Sequence, residues 1–180
     1  MKRNYYIVPE ALEKGISNIR TRIETSLKTS EYSFSPDLDW ADPTMPGVLM
    51  TCGLYRFGMP EVCLSLDTSV EEPFTMGIAE YLLNVYVNVV RGQSEVILGD
   101  ITPFVFGPHS EAELSKFTKQ IVAVEVDAKQ FYDGFGYVVR DIVTKDSLPR
   151  VIQLVASDRS GRFPDERHYS GVTQALIPKI

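Results

Sequence analysis

Two cysteines and two histidines are all that 180 residues offer of the side chains most used in metal and nucleophilic chemistry. Cys52 and Cys63 cannot build a disulfide framework. Neither has a C-x-x-C spacing or a histidine partner, so both are expected to be buried, reduced thiols that behave as small hydrophobes. His109 and His168 stand in separate polar stretches. A site made of several histidines is thereby excluded, a mixed site with one is not, and each imidazole is read as an exposed loop residue. There is no Walker loop, no G-x-G-x-x-G after a strand, no G-x-S-x-G elbow and no H-E-x-x-H. No apolar run approaches the roughly 18 residues of a membrane span. The opening MKRNYYIVPE has basic residues without the apolar stretch of a secretory leader. A cytoplasmic chain without membrane contact, metal or cofactor is the expectation.

Clustered positive charge is missing too. The 18 basic residues are scattered among 24 acidic ones, for a net charge of −6, whereas a duplex binder concentrates Lys and Arg on one face. Direct nucleic-acid binding is therefore not expected. An acidic nucleic-acid mimic is a weaker alternative, because no carboxylates align in a run. Repeats and low-complexity tracts are absent.

What is present is ordinary globular composition, 44% hydrophobic and 23% charged, at the length of one domain covering 1–180. The first helix is predicted over 9–28, with Pro9 in its first turn and Leu12, Ile16, Ile19, Ile23 and Leu27 forming one apolar stripe. Ser26 to Asp42 is polar, ends in Trp40–Ala41–Asp42–Pro43, and reads as a loop. Val48–Cys52 suits a buried strand, Leu54–Pro60 a turn, and Val62–Leu66 a second strand, so the pair is a candidate hairpin. Asp67 and Thr68 are candidate caps for a helix over Phe74–Val90, which Gly92 closes. That helix is apolar on most faces; it is either central or uses its second face for self-association.

Beyond it, Thr102, Phe104 and Phe106 alternate as in a strand, and Glu111–Lys119 suits a short helix. Ile121–Val126 reads as a strand, and Ala128–Val143 has helical spacing interrupted by Gly134 and Gly136. Val151–Ala156 is the last strong strand, and the tail 167–180 is a candidate edge strand. The sum is a single α+β domain. Its sheet is mixed or mainly antiparallel, of about five to six strands, packed by two long helices and shorter helical segments.

Two stretches have the content of sites. Gly53–Leu54–Tyr55–Arg56–Phe57–Gly58–Met59–Pro60–Glu61 is either a constrained turn or a place of close backbone approach. The second, Gln153 to Tyr169, leads from a strand into Asp158, Arg159, Arg162, Asp165, Glu166, Arg167 and His168. These charges either bind an anion or metal, with Asp158 and Glu166 as a general acid–base pair, or pair with one another on a solvated turn. Thr51, Tyr55, Arg56, Glu61, Gln153, Asp158, Arg159, Arg162, Glu166 and His168 form the candidate binding surface.

The same stretches carry a resemblance. T-x-G-L, G-x-P-E and Q-x-x-x-x-D-x-x-G-x-F-P occur in order through Thr51, Gly53, Leu54, Gly58, Pro60, Glu61, Gln153, Asp158, Gly161, Phe163 and Pro164. This resembles the bacterial and phage domain-of-unknown-function family forty-two sixty-two, over about 47–166. The chain departs from the pattern at Ala156–Ser157, where the family has Trp–Pro, and at Asp165, where it has Trp; a shared stacking pocket is therefore not implied. The resemblance implies a bacterial or phage-infected cell and no defined activity. The preferred expectation is a binding or protein-interaction module, such as a phage or mobile-element accessory factor, with a protein partner or self-association. The alternative is a small-molecule or nucleotide-handling enzyme built on Asp158, Arg162 and Glu166, with Glu61 brought in from the other motif. It requires the two motif loops to meet in one pocket.

Overall fold

Strands that are apolar on both faces need cover above and below the sheet. Gly47–Cys52 and Val151–Ala156 are buried at every position, which sets the layering of the whole chain. The computed structural model describes residues 10–37, 47–66, 76–91, 93, 95–107, 114–143, 147–171 and 174–180. In it β1 (Ser33–Asp37), β2 (Gly47–Cys52), β3 (Glu61–Leu66), β4 (Gly99–Asp100), β5 (Ile121–Val126) and β6 (Val151–Ala156) form one sheet. The strand order is β1-β2-β3-β6-β5-β4. β3 and β6 run parallel, with Glu61 opposite Val151, and the other neighbours are antiparallel. The chain is an α+β protein with a mixed six-stranded sheet.

The helices are α1 (Glu10–Ser26), α2 (Met76–Val90), α3 (Thr102–Val105), α4 (Ala128–Gly134) and α5 (Tyr137–Arg140). One sheet face presents Leu49, Val62, Leu64, Ile152 and Leu154 to Ala79, Leu82, Leu83, Tyr86 and Val87 of α2. The other presents Val48, Met50, Cys63 and Val151 to Ile23 of α1 and to Phe131, Tyr132 and Val139 of α4 and α5. Alternation along β2 explains the split, since successive side chains go to opposite faces. No described helix is long and apolar enough to cross a membrane.

Four expectations are corrected. Ser26–Asp42 contains β1, which pairs with β2 from Ser33↔Cys52 to Asp37↔Val48. Polar SFSPD has no apolar alternation, and its proline is tolerated because the strand lies at the sheet edge. Thr102–Phe106 is not a strand. Asp100 Oδ1 accepts from Thr102 N (2.9 Å), and Pro103, in the first turn, lacks the N–H a ladder would need, so the segment coils into α3. Ala128–Val143 is two short helices, not one. Asp127 caps α4 by accepting from Gln130 N (2.9 Å), and the break falls at Gly136. A Cβ there would lie 2.7 Å from the Tyr132 ring and 2.8 Å from the Phe131 ring. Among its described residues the tail adds no strand: Val126 and Lys179 form an isolated bridge, and residues 174–180 instead cross a sheet face.

Helix α2 lies against the sheet as a central element, yet Tyr81 on its outer side is 42% exposed. The proposed caps Asp67 and Thr68, the start at Phe74 and the stop at Gly92 lie outside the described residues, as do Trp40–Pro43, His109 and the first turn of the Glu111–Lys119 helix.

Candidate functional site

The turn between β2 and β3 is built around a buried carboxylate. Glu61 has no exposed surface. Its Oε1 accepts from Gly53 N (2.8 Å) and Tyr55 N (3.2 Å), and its Oε2 accepts from Thr51 Oγ1 (2.6 Å). Thr51 Oγ1 in turn accepts from Val62 N (2.8 Å). The backbone at Gly53 has φ 120°, and a Cβ on it would meet Leu27 Cδ2 at 2.6 Å and Glu31 O at 2.9 Å. Only glycine fits both the conformation and the space. The chain then makes a single 3-10 turn, Leu54–Phe57. Burial pushes the Glu61 pKa above the usual carboxylate range, and the donated hydrogen bonds only partly offset this.

Tyr55 is half-buried and donates to Ile142 O (3.3 Å). Arg56 donates to Leu27 O (3.0 Å) and stands over the Phe57 ring at 5.6 Å. Phe57 is 54% exposed. Beside this turn lies a groove of about 410 Å³ lined by Gly58, Met59, Pro60, Val90, Gln93, Glu95, Val96 and Arg150. The Arg150 guanidinium forks onto Glu125, Nε to Oε1 at 2.6 Å and Nη2 to Oε2 at 2.7 Å. The hydrogen bond from Arg150 holds Glu125 below the usual carboxylate range.

The second motif loop is a closed unit. Asp158 is 1% exposed. Its Oδ1 accepts from Ser160 N (2.8 Å) and Arg162 N (2.9 Å), and its Oδ2 from Ser170 N (3.1 Å) and Ser170 Oγ (3.2 Å). The cover is the loop itself and not deep apolar packing, so the hydrogen bond from Arg162 N and its companions outweigh desolvation and lower the Asp158 pKa. Glu166 Oε2 accepts from Phe163 N. Arg162 donates to His168 O and Arg159 to Lys116 O. His168 is exposed with φ 66°. Both members of the suggested acid–base pair are thus engaged by main-chain N–H groups.

These candidates do not share one pocket. Parallel β3 and β6 begin at the same sheet end, so Thr51, Tyr55, Arg56 and Glu61 lie beside Arg150. Asp158, Arg159, Arg162, Glu166 and His168 follow the far end of β6, roughly 16 Å away along six residues of strand. Gln153 sits between them and is 1% exposed, with Nε2 donating to Ala175 O (2.5 Å) and Oε1 accepting from Ile177 N (3.1 Å). The convergence of loops that the enzyme alternative requires is overturned by this topology.

Sequence reasoning missed the groove, the Arg150–Glu125 fork and the clamp on residues 174–180, all of which depend on strand order. It also missed Tyr132, fully buried, whose hydroxyl has no hydrogen-bond partner among the described residues. Burial raises its pKa, and the neighbouring Glu61 adds to the effect. Cys52 and Cys63 are buried free thiols, as expected. Burial pushes Cys52 up to about 12, and Cys63 is raised further. Among the described residues, no three His, Cys, Asp or Glu side chains converge as metal ligands would. No family model, no curated protein and no solved structure matches the chain.

Proposed function

We propose that the chain is a protein-interaction module that docks a protein partner at the turn end of its sheet, around Phe57 and the adjoining groove. The observation that carries this reading is Phe57, 54% exposed on a turn tied by its own hydrogen bonds. Glu61 holds the two ends of that turn together, and Arg56 lies over the ring. A large exposed aromatic on a hydrogen-bonded turn is an anchor of the kind that dominates protein interfaces. It contributes apolar area on binding and has only two side-chain torsions to fix.

The groove has the matching anatomy. Met59, Pro60, Val90 and Val96 supply apolar walls, and Gln93, Glu95 and Arg150 supply polar groups. An apolar centre with polar groups at its rim is the pattern of protein interfaces. Kinship with family forty-two sixty-two, and with it a phage or mobile-element setting, belongs to the same proposal and rests on the motif positions alone.

The test is site-specific photo-crosslinking in bacterial lysate. A photoreactive side chain at position 57 should yield one dominant adduct, either with a partner or with a second copy. The adduct should vanish in a Met59→Asp variant and should not form from position 167 at the opposite end of the sheet. Equal labelling from both positions, or an adduct insensitive to Met59→Asp, refutes docking at this face.

A further inference from the structure

Residues 174–180 cross the sheet face opposite α2, and buried polar side chains grip their backbone. Ser65 Oγ accepts from Ala175 N (2.8 Å). Gln153 takes both Ala175 O (2.5 Å) and Ile177 N (3.1 Å). At the far side Asp127 N donates to Pro178 O (2.8 Å). Ser65 and Gln153 are 0% and 1% exposed on strands whose other side chains on this face include Cys63 and Val151. Cover alone would be served by apolar residues, because a buried hydroxyl or amide is costly unless its polar atoms are paired. Ser65 Oγ also donates to Gly47 O (3.2 Å), and the remaining pairing comes from the main chain of one extended segment.

Main-chain pairing combined with pockets for alternate side chains is how extended peptides are recognised. The segment has that alternation. Ala175 and Ile177 pack into the core with Val126, Phe131 and Val151, Ile177 being 4% exposed, while Leu176 is 42% and Ile180 87% exposed.

We propose that this face is a peptide-binding site for an extended Ala-x-Ile-Pro segment, filled in cis by the chain's own residues 174–180, and that a second copy of the chain donates the same segment in trans. A second copy carries the required side chains in the required order. Segment exchange of this kind adds no new interface chemistry, since every contact already exists within one copy. Water can rehydrate Ser65 and Gln153 when the segment leaves, so release does not require the sheet to open. The site lies on the opposite sheet face from the groove and stands independently of docking there.

The full chain serves for the test, with a fluorescein-labelled peptide of residues 174–180 as the probe, read by anisotropy. Ile177→Asp in the chain loosens its own segment and leaves the site intact. The labelled wild-type peptide should then bind this variant at least about tenfold more tightly than the wild-type chain, because the competing cis segment is gone. Adding Gln153→Leu should cost about tenfold or more, and a peptide with the same Ile→Asp change should not bind. If Ile177→Asp weakens the fold, saturating peptide should restore its circular dichroism. In the wild-type chain the Ala175 and Ile177 amides should exchange with deuterium at least about a hundredfold faster than those of β6, as a separately opening unit does. At high concentration, light scattering should show dimers that Ile177→Asp abolishes. Three results overturn the proposal: no saturable peptide binding by folded or peptide-treated Ile177→Asp chain, exchange of those amides in step with β6, or a wild-type chain that stays monomeric at millimolar concentration.

Discussion

Glu61 is the residue whose replacement separates two accounts of the turn: a site that needs a negative charge, and a scaffold that needs an acceptor. In the Glu61→Ala variant Gly53 N and Tyr55 N lose their partner, while the Thr51 hydroxyl can turn to Val62 O, 3.4 Å away. Two orphaned amides at about 1–3 kcal/mol each cost roughly 2–6 kcal/mol, a large share of the roughly 5–15 kcal/mol that holds a domain together. Glu61→Gln is different. Its Oε1 still accepts from both amides, its Nε2 can donate to Thr51 Oγ1, and the Thr51 hydrogen can swing to Val62 O. Each polar heavy atom again has a partner and only the second Nε2 hydrogen lacks one, so the expected loss is about 1 kcal/mol, well below that of Glu61→Ala.

The pH dependence gives a second, independent reading. The folded chain holds the Glu61 pKa above its ordinary value, so it binds that proton more tightly than the unfolded chain does. Stability therefore falls as pH rises from the ordinary glutamate range through the raised value, and the contribution is flat above it. Glu61→Gln should remove that slope. Urea unfolding followed by circular dichroism between pH 4 and pH 8 measures both effects (the range brackets the ordinary glutamate value). If Glu61→Ala stays within about 1 kcal/mol of wild type, or Glu61→Gln is as damaging as Glu61→Ala, the acceptor account is wrong.

Other perturbations follow from the same geometry. Gly53→Ala should cost at least about 2 kcal/mol in the same unfolding assay, because it adds left-handed strain to contacts with Leu27 and the Glu31 carbonyl; near-neutral behaviour would mean the turn relaxes freely. Asp158, whose pKa is lowered in the folded chain, should support stability that is present above its ordinary value near 3.8 and is lost as pH falls below it. Asp158→Ala should flatten that acid limb and open the loop 159–170 to limited proteolysis, and a loop that stays resistant would contradict its role as the pin. Cys52, pushed up to about 12 by burial, and Cys63 should not react with a disulfide reagent at pH 8 until the chain is unfolded, when both thiols should titrate; fast labelling of the native chain would count against their burial.

Legibility of the fold tracked the local strength of each pattern. α1, β2, β3, β5 and β6 were readable because their apolar periodicity is set by burial on known faces. β1 was not, since an edge strand needs only one neighbour and can be polar. α3 was misread because Thr102, Phe104 and Phe106 alternate like a strand, and only Pro103, following the Asp100 carboxylate that accepts from Thr102 N, betrays a helical turn. The two-residue β4 has no periodicity to read. Strand order lay beyond any local pattern. The parallel β3–β6 pairing, which sends the two motif loops to opposite ends, is a long-range choice that either loop alone cannot signal.

The motif residues share a property that explains why they stood out and why they have the look of a site in sequence. Glu61 and Asp158 each accept several main-chain N–H groups, Thr51 bridges Glu61 to Val62, Gln153 clamps Ala175 and Ile177, and Gly53 occupies a conformation closed to other residues. A buried acceptor that satisfies a bend, and a glycine that allows it, are specified by backbone geometry as tightly as a catalytic group is specified by its substrate. Sequence cannot separate the two demands, because both select a fixed residue type at a fixed spacing. Coordinates separate them by asking where the lone pairs go. Here they go to the chain's own amides, and the large side chain that the turn leaves in solvent is Phe57.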